Sequence, residues 1–301
     1  MINSPGPRSR PYYADFAPGA GRREPRAAFA SAAPSISLNG DWRFHWAPSV
    51  AAAPLAAVVA DPGFDDSGWD ELPVPAHWQL HGYGSPAYTN VRYPFPLDPP
   101  APPDENPTAD YRRAFDLPAE WAGLGVVLRF DGVDSCVKVW LNGHELGYST
   151  GSRLPVEFDV TEAVIPGARN VLAVRVHQWS AGSYLEDQDM WWLSGIFRDV
   201  TLLARPHGGL DDFFVHADFD HETGRGTLRI DTSVSARLTI AELGLIDVPA
   251  GETHEMAVEP WSAELPRRYH GVLATAGEAG APGERVSVAI GFRRVTIEDG
   301  V

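Results

Sequence analysis

Apolar and polar side chains alternating with a period of two restrict the folds open to this chain more than any other feature. Val126, Leu128 and Phe130 alternate with Val127, Arg129 and Asp131, as a strand with one buried face requires. Val137, Val139 and Leu141 alternate with Lys138 and Trp140, then meet Asn142-Gly143, a pair suited to a tight hairpin because both residues tolerate positive φ. Leu172, Val174 and Val176 repeat the pattern after Pro166-Gly167, and residues 196–203 read as a further strand. No apolar stripe of 3.6-residue period runs for three turns with caps, which limits helix to a turn or two near residues 51–60. The pattern predicts an all-β chain.

A change of composition at Arg205-Pro206-His207-Gly208-Gly209 marks a linker. Beyond it the runs are shorter: Leu228/Ile230, Leu238/Ile240 and Val286/Val288/Ile290, separated by polar and Gly-rich turns. That spacing predicts an immunoglobulin-like sandwich over residues 205–296. The block 34–204 is too long for such a domain and fits a larger jelly-roll sandwich. Residues 1–33, with Pro or Gly at 5, 6, 7, 11, 18, 19 and 21, are expected as a flexible arm. Residues 294–297 look strand-like, and 297–301 read as a stub leading towards a further domain.

Net charge is −16, from 40 acidic against 24 basic side chains, and Lys138 is the one lysine. That excess repels a phosphate backbone, so neither nucleic acid nor an anionic membrane is an expected partner. The most apolar stretch, 51–60, is broken by Pro54 and far short of a membrane span, and the N-terminus has no apolar core of a signal peptide. A single cysteine, Cys136, cannot close an internal disulfide, which points to a reducing, cytoplasmic setting.

Four segments invite a chemical reading. Gly147-Tyr148-Ser149-Thr150-Gly151 matches the G-x-S-x-G elbow of serine hydrolases, but a strand with Pro155 follows where a helix is needed. His77 and His81 have a zinc-helix spacing, but Pro73 and Pro75 oppose a helix and the accompanying Glu is missing. The densest acidic cluster, Glu186-Asp187-Gln188-Asp189, is walled by Tyr184, Met190, Trp191 and Trp192, poor choices for a solvated loop tip. In an extended segment Asp187 and Asp189 face one way and Glu186 the other, so mutual repulsion has to be offset by solvent, basic groups or a hard cation. Carboxylates on one side of a ligand cannot straddle a glycosidic bond as a hydrolytic pair must. Asn106 sits in the proline-rich stretch Pro102-Pro103-Asp104-Glu105-Asn106-Pro107-Thr108; its amide could serve a turn or donate to and accept from a sugar hydroxyl.

These segments also carry a resemblance. Tyr88-Thr89-Asn90-Val91-Arg92-Tyr93-Pro94, Glu105-Asn106-Pro107-Thr108, Phe130-Asp131-Gly132-Val133, Ser152-Arg153-Leu154-Pro155 and the stretch 183–200 (SYLEDQDMWWLSGIFRDV) resemble the N-terminal region of the large family-two β-galactosidases. Leu38-Asn39-Gly40-Asp41-Trp42 upstream, and Trp261-Ser262-Ala263-Glu264-Leu265-Pro266 and Gly291-Phe292-Arg293 downstream, fit the same order. Two departures touch packing: Ala109 where a Gly often follows the ENPT motif, and the Trp191-Trp192 pair.

The resemblance implies a galactose-binding-like jelly roll followed by an immunoglobulin-like domain. It also implies a catalytic barrel, absent from this chain, that carries the two glutamates and the magnesium of a retaining hydrolysis of terminal β-galactosides such as lactose. It assigns Asn106 and Asp189 to substrate binding, and Asp189 also to a sodium ion whose other ligands come from that barrel. A homo-oligomer is expected of the full-length protein. On this reading the chain alone is inactive; the competing reading is a non-enzymatic carbohydrate-binding or assembly module.

Overall fold

The computed structural model describes residues 10–90, 92–186, 189–277 and 283–297. They divide into two units: residues 35–204 together with the N-terminal segment to Pro25, and residues from Arg205 onward together with 26–34.

In the first unit a seven-stranded sheet runs in the spatial order Gly19–Ala20, His144–Ser149, Cys136–Leu141, Arg169–His177, Thr108–Asp116, Gly40–Ala47 and Asp70–Val74. A four-stranded sheet of Val156–Asp159, Gly125–Phe130, Val200–Arg205 and Ser35–Ser37 packs against it. Cys136–Leu141 runs antiparallel to both His144–Ser149 and Arg169–His177, as does Thr108–Asp116 to its two neighbours and Gly125–Phe130 to Val156–Asp159, the arrangement of a jelly-roll sandwich. Side chains of period two from both sheets meet in one core: Trp42, Phe44, Tyr111, Leu172, Val174 and Val176 from the larger, Leu128, Phe130, Phe158 and Leu202 from the smaller.

The Asn142-Gly143 turn has φ of 51° and 84° at its two residues, the conformation that matches the twist of the flanking strands. Trp140, placed by the alternation on the face away from the core, is nevertheless buried. The short helix Ala56–Ala60 lies over that face, and Val59 and Ala60 cover the indole and Ala173.

The strand expected over 196–203 is two strands. Gly195–Ile196 pairs with Val133–Asp134, and after a break Val200–Arg205 joins the four-stranded sheet. Of the arm expected to be flexible over residues 1–33, two short segments among the described residues pair as strands. Gly19–Ala20 adds an edge to the seven-stranded sheet against Ser149 and Tyr148, while Ala30–Ser31 pairs with Ser287 and Val286 of the second unit.

The second unit is a sandwich of a three-stranded sheet (Phe213–Asp220, Arg225–Thr232, His254–Ala257) and a five-stranded one (Ala30–Ser31, Arg285–Ile290, Tyr269–Thr275, Ala236–Ile240, Leu245–Pro249). Leu228, Ile230, Leu238, Ile240, Val286, Val288 and Ile290 form its core, as their alternation predicts. The strand expected at 294–297 is not formed; Arg294 there reaches Asp218 in an ion pair of 2.5 Å. The expected stub lies outside the described residues from 298 on. Cys136 is buried and free. Among the described residues no helix is long and apolar enough to cross a membrane.

Candidate functional site

Asp189 stands at the head of the short strand Met190–Trp192, which pairs with Ala87–Thr89 in the register Met190 to Thr89, Trp191 to Tyr88 and Trp192 to Ala87. Because neighbouring strand residues point to opposite faces, the two tryptophans serve different ends. Trp192 turns inward against Phe95 and Trp179, with Tyr93 and Tyr184 alongside, and its indole N–H donates to the Thr89 hydroxyl at 2.6 Å. Trp191 is 57% exposed and lies 5.6 Å from the ring of Tyr88, itself 50% exposed.

Asp189 has φ of 50°, in the left-handed region that short polar side chains tolerate. Its exposed carboxylate accepts a hydrogen bond from the Tyr88 hydroxyl. That bond raises the pKa of Tyr88, since loss of its proton would set two anionic oxygens together. Asp187 lies outside the described residues. Glu186 points elsewhere: both of its carboxylate oxygens accept from Ser152, so its charge is held by two donors of the 151–154 loop.

That loop is fixed a second time. Arg153 forms an ion pair with Asp134, which is 4% exposed and also accepts from the Ser194 hydroxyl. Burial pushes the Asp134 carboxyl up to about 6, and Arg153 opposes the rise. The Arg153 guanidinium sits 5.3 Å over the Phe197 ring, which stacks on His77 at 5.0 Å. Phe197 in turn lies against Gly132, where a Cβ would come within 2.8 Å of the ring; this accounts for a glycine in Phe130-Asp131-Gly132-Val133.

Asn106 is 1% exposed, and its amide faces the backbone of Trp179. Its Nδ2 donates to the Trp179 carbonyl at 2.8 Å, and its Oδ1 accepts the Trp179 N–H at 2.9 Å. The strand Thr108–Asp116 begins just after, with Thr108 opposite His177, and the Gln178 N–H donates to the Pro107 carbonyl. Pro107 has no N–H of its own to continue the ladder. The side chain of Asn106 therefore extends the ladder past the proline. Each end of the amide keeps capacity for one further hydrogen bond.

Asn106 and Asp189 are not brought side chain to side chain. Trp179, held by Asn106, meets Trp192 edge-on at 5.2 Å, and Trp192 lies three residues beyond Asp189, so the two are tied through one aromatic cluster. Among the described residues no group of three or more His, Cys, Asp or Glu is placed to hold a metal ion.

Neither of the motifs set aside on sequence becomes a site. Ser149 lies in a strand and its hydroxyl donates to the Pro18 carbonyl, while His77 stacks on Phe197 and His81 is exposed. Tyr88, Ser152, Arg153, Asp134 and Trp179 are the site residues given no individual role by sequence reasoning. An acid such as Glu186 beside an apolar wall demands a donor, and Ser152-Arg153 is where that demand is met.

Residues 36–206 match the glycosyl hydrolases family 2, sugar binding domain. A β-galactosidase of Arthrobacter sp. (strain B7) is 49% identical over 316 residues, covering 96% of this chain and 30% of that protein. A β-galactosidase of Vibrio cholerae serotype O1 is 41% identical over 295 residues, covering 88% of this chain and 28% of that protein. The chain thus spans less than a third of the length of these curated relatives. Among solved structures, a β-glucuronidase from Ruminococcus gnavus aligns with a TM-score of 0.65 at 18% identity, covering 92% of this chain and 47% of that one, a likeness of fold. On its residues 36–206 and the sandwich they build, the chain belongs to glycosyl hydrolase family 2, whose sugar binding domain it contains.

Proposed function

We propose that this chain is the sugar-binding wall of a β-galactosidase, presenting Asp189 to the hydroxyls of a terminal galactosyl residue. The observation that carries the reading is the exposed Asp189 carboxylate, held in a left-handed turn and framed by the exposed rings of Tyr88 and Trp191. An ionised carboxylate accepts from two neighbouring hydroxyls at once, and an aromatic face covers the apolar side of a sugar ring. The 49% and 41% identities to proteins named β-galactosidase support galactose as the sugar.

Asp189 also serves as one oxygen ligand of a sodium ion, completed by donors outside the described residues. Asn106 acts through Trp179, whose backbone its buried amide holds beside the aromatic cluster. The two catalytic carboxylates, and any magnesium, belong to a barrel outside this chain, and the assembled enzyme is a homo-oligomer working in the cytoplasm.

The test is hydrolysis of a nitrophenyl galactoside, with and without Asp189→Asn, across a sodium series. The expected result is no turnover by the 301-residue chain. In a polypeptide carrying the barrel, Asp189→Asn should cut the rate strongly and flatten its sodium dependence. Turnover by the chain alone, or an unchanged rate and salt response in the variant, overturns the reading.

A further inference from the structure

The segment Tyr12–Ala14 docks on the first sandwich beside His177. The imidazole is 1% exposed, with the rings of Tyr12 and Tyr13 at 5.3 and 4.6 Å. The Tyr12 hydroxyl meets Nε2 of His177 at 2.5 Å, and the Thr108 hydroxyl meets Nδ1 at 2.8 Å. Thr108 also donates to the carbonyl of Asn106 at 3.1 Å. One arrangement of protons uses every donor once. Thr108 has a single hydroxyl proton, given to Asn106, so Nδ1 must carry the proton that Thr108 accepts, and bare Nε2 accepts from Tyr12. This requires a neutral imidazole, and burial beside Arg175 and Lys138 keeps it neutral.

We infer that the N-terminal arm positions the Asn106 loop: Tyr12 acts through His177 and Thr108 on the carbonyl of Asn106, whose side chain holds Trp179. The arm is itself pinned for the purpose. The Tyr148 hydroxyl donates to Asp15 at 3.0 Å, the Thr150 N–H to the Pro18 carbonyl, and Gly19–Ala20 pairs with Ser149 and Tyr148. Tyr12 and Thr108 are positioning residues and touch no substrate. The consequence for sugar binding rests on the function proposed above; the relay does not.

Selective 15N labelling of histidine in the 301-residue chain reports the tautomer of His177, and hydrogen exchange at the Trp179 amide reports the grip of Asn106. The expected wild-type state is protonated at Nδ1. Tyr12→Phe keeps the ring contacts and removes the hydroxyl, so it should mix the tautomers and speed Trp179 exchange roughly three- to tenfold, the worth of about one hydrogen bond. Thr108→Val should do the same, and Thr108→Ser should restore slow exchange. An Nε2-protonated wild type, or equal Trp179 exchange in wild type, Tyr12→Phe and Thr108→Val, overturns the inference. Neither readout involves sugar or Asp189, so a failed galactoside assay leaves it standing and a failed relay leaves the galactoside reading standing.

Discussion

Ser152 donates twice to Glu186 across 34 residues of chain, its backbone N–H to Oε1 at 3.0 Å and its hydroxyl to Oε2 at 2.6 Å. Ser152 is fully buried, and the pair joins the 151–154 loop to the segment that leads into Asp189. Glutamate is the side chain that can accept both donors, since both oxygens of an ionised carboxylate are acceptors.

Glu186→Gln should therefore destabilise the first unit although it changes one atom. The amide oxygen can still accept the Ser152 N–H and the amide NH₂ can donate to the Ser152 hydroxyl oxygen, but the hydroxyl proton then loses its acceptor, at a cost of about 1 kcal/mol. Urea unfolding followed by tryptophan fluorescence measures this. A midpoint shift worth under about 0.5 kcal/mol, the scale of a neutral surface change, would show that the pair does not hold the loop.

Asp189→Asn should leave the fold alone. The side chain is exposed and its partner is the exposed Tyr88, so the expected change in stability is within about 0.5 kcal/mol. What changes is the titration of Tyr88, which the carboxylate holds above the ordinary range for a tyrosine. Ultraviolet difference titration should show one tyrosine ionising at lower pH in the variant, and Tyr88→Phe should remove that signal. Superimposable titrations of wild type and Asp189→Asn would show that Tyr88 does not engage the carboxylate in solution.

Much of the fold was legible because alternation and turn chemistry are local. The core positions of both sandwiches follow from period-two runs, and the Asn142-Gly143 turn from the tolerance of two adjacent residues for positive φ. What was not legible depends on partners far along the chain. Pro and Gly in residues 1–33 predict looseness, but they do not reveal that Ser149 and Tyr148 offer a free strand edge to Gly19–Ala20. The amide of Asn106 is decided by Trp179, 73 residues on, and the carboxylate of Asp189 meets Tyr88 across 101 residues. Trp140 alternates away from the core correctly and is buried all the same, because a five-residue helix covers that face. Local pattern chose the strands; the pairing of distant residues decided which polar groups are held and which are offered.

His177 predicts acid sensitivity of the first unit. Burial, with Arg175 and Lys138 nearby, pushes its pKa from 6.5 down to about 3. The folded state therefore binds fewer protons than the unfolded one between these values. The stabilisation is complete above pH about 6.5 and is lost as pH falls towards about 3, on the order of 4–5 kcal/mol across the window. Asp134 acts in the opposite sense: its pKa is raised from 3.8 to about 6, so its contribution is greatest below pH about 4 and declines as pH rises through about 6. Thermal midpoints from pH 3.5 to 7.5 should fall towards acid in the wild type, fall less steeply in His177→Gln, and fall more steeply in Asp134→Asn. Parallel curves for wild type and His177→Gln would contradict a neutral, buried imidazole.

Asp110 and Arg175 face each other on neighbouring strands, with Nε to Oδ1 at 2.7 Å and a second guanidinium nitrogen to Oδ2 at 2.9 Å; their side chains are 1% and 7% exposed. Arg175 also donates to the Pro54 carbonyl, so the pair ties the sheet to the segment that precedes the helix Ala56–Ala60. Taking two charges out of water offsets most of their attraction, so the pair as a whole adds little net stability, whereas half of it is a liability. Asp110→Asn should cost about 3–5 kcal/mol by leaving the guanidinium short of its counter-charge. Asp110→Leu combined with Arg175→Met should recover most of that loss, because no charge is then left buried. A double-mutant cycle by urea unfolding decides the point. Additive losses from the two single variants would mean that the carboxylate and the guanidinium stabilise the sandwich independently, through their separate packing and not through each other.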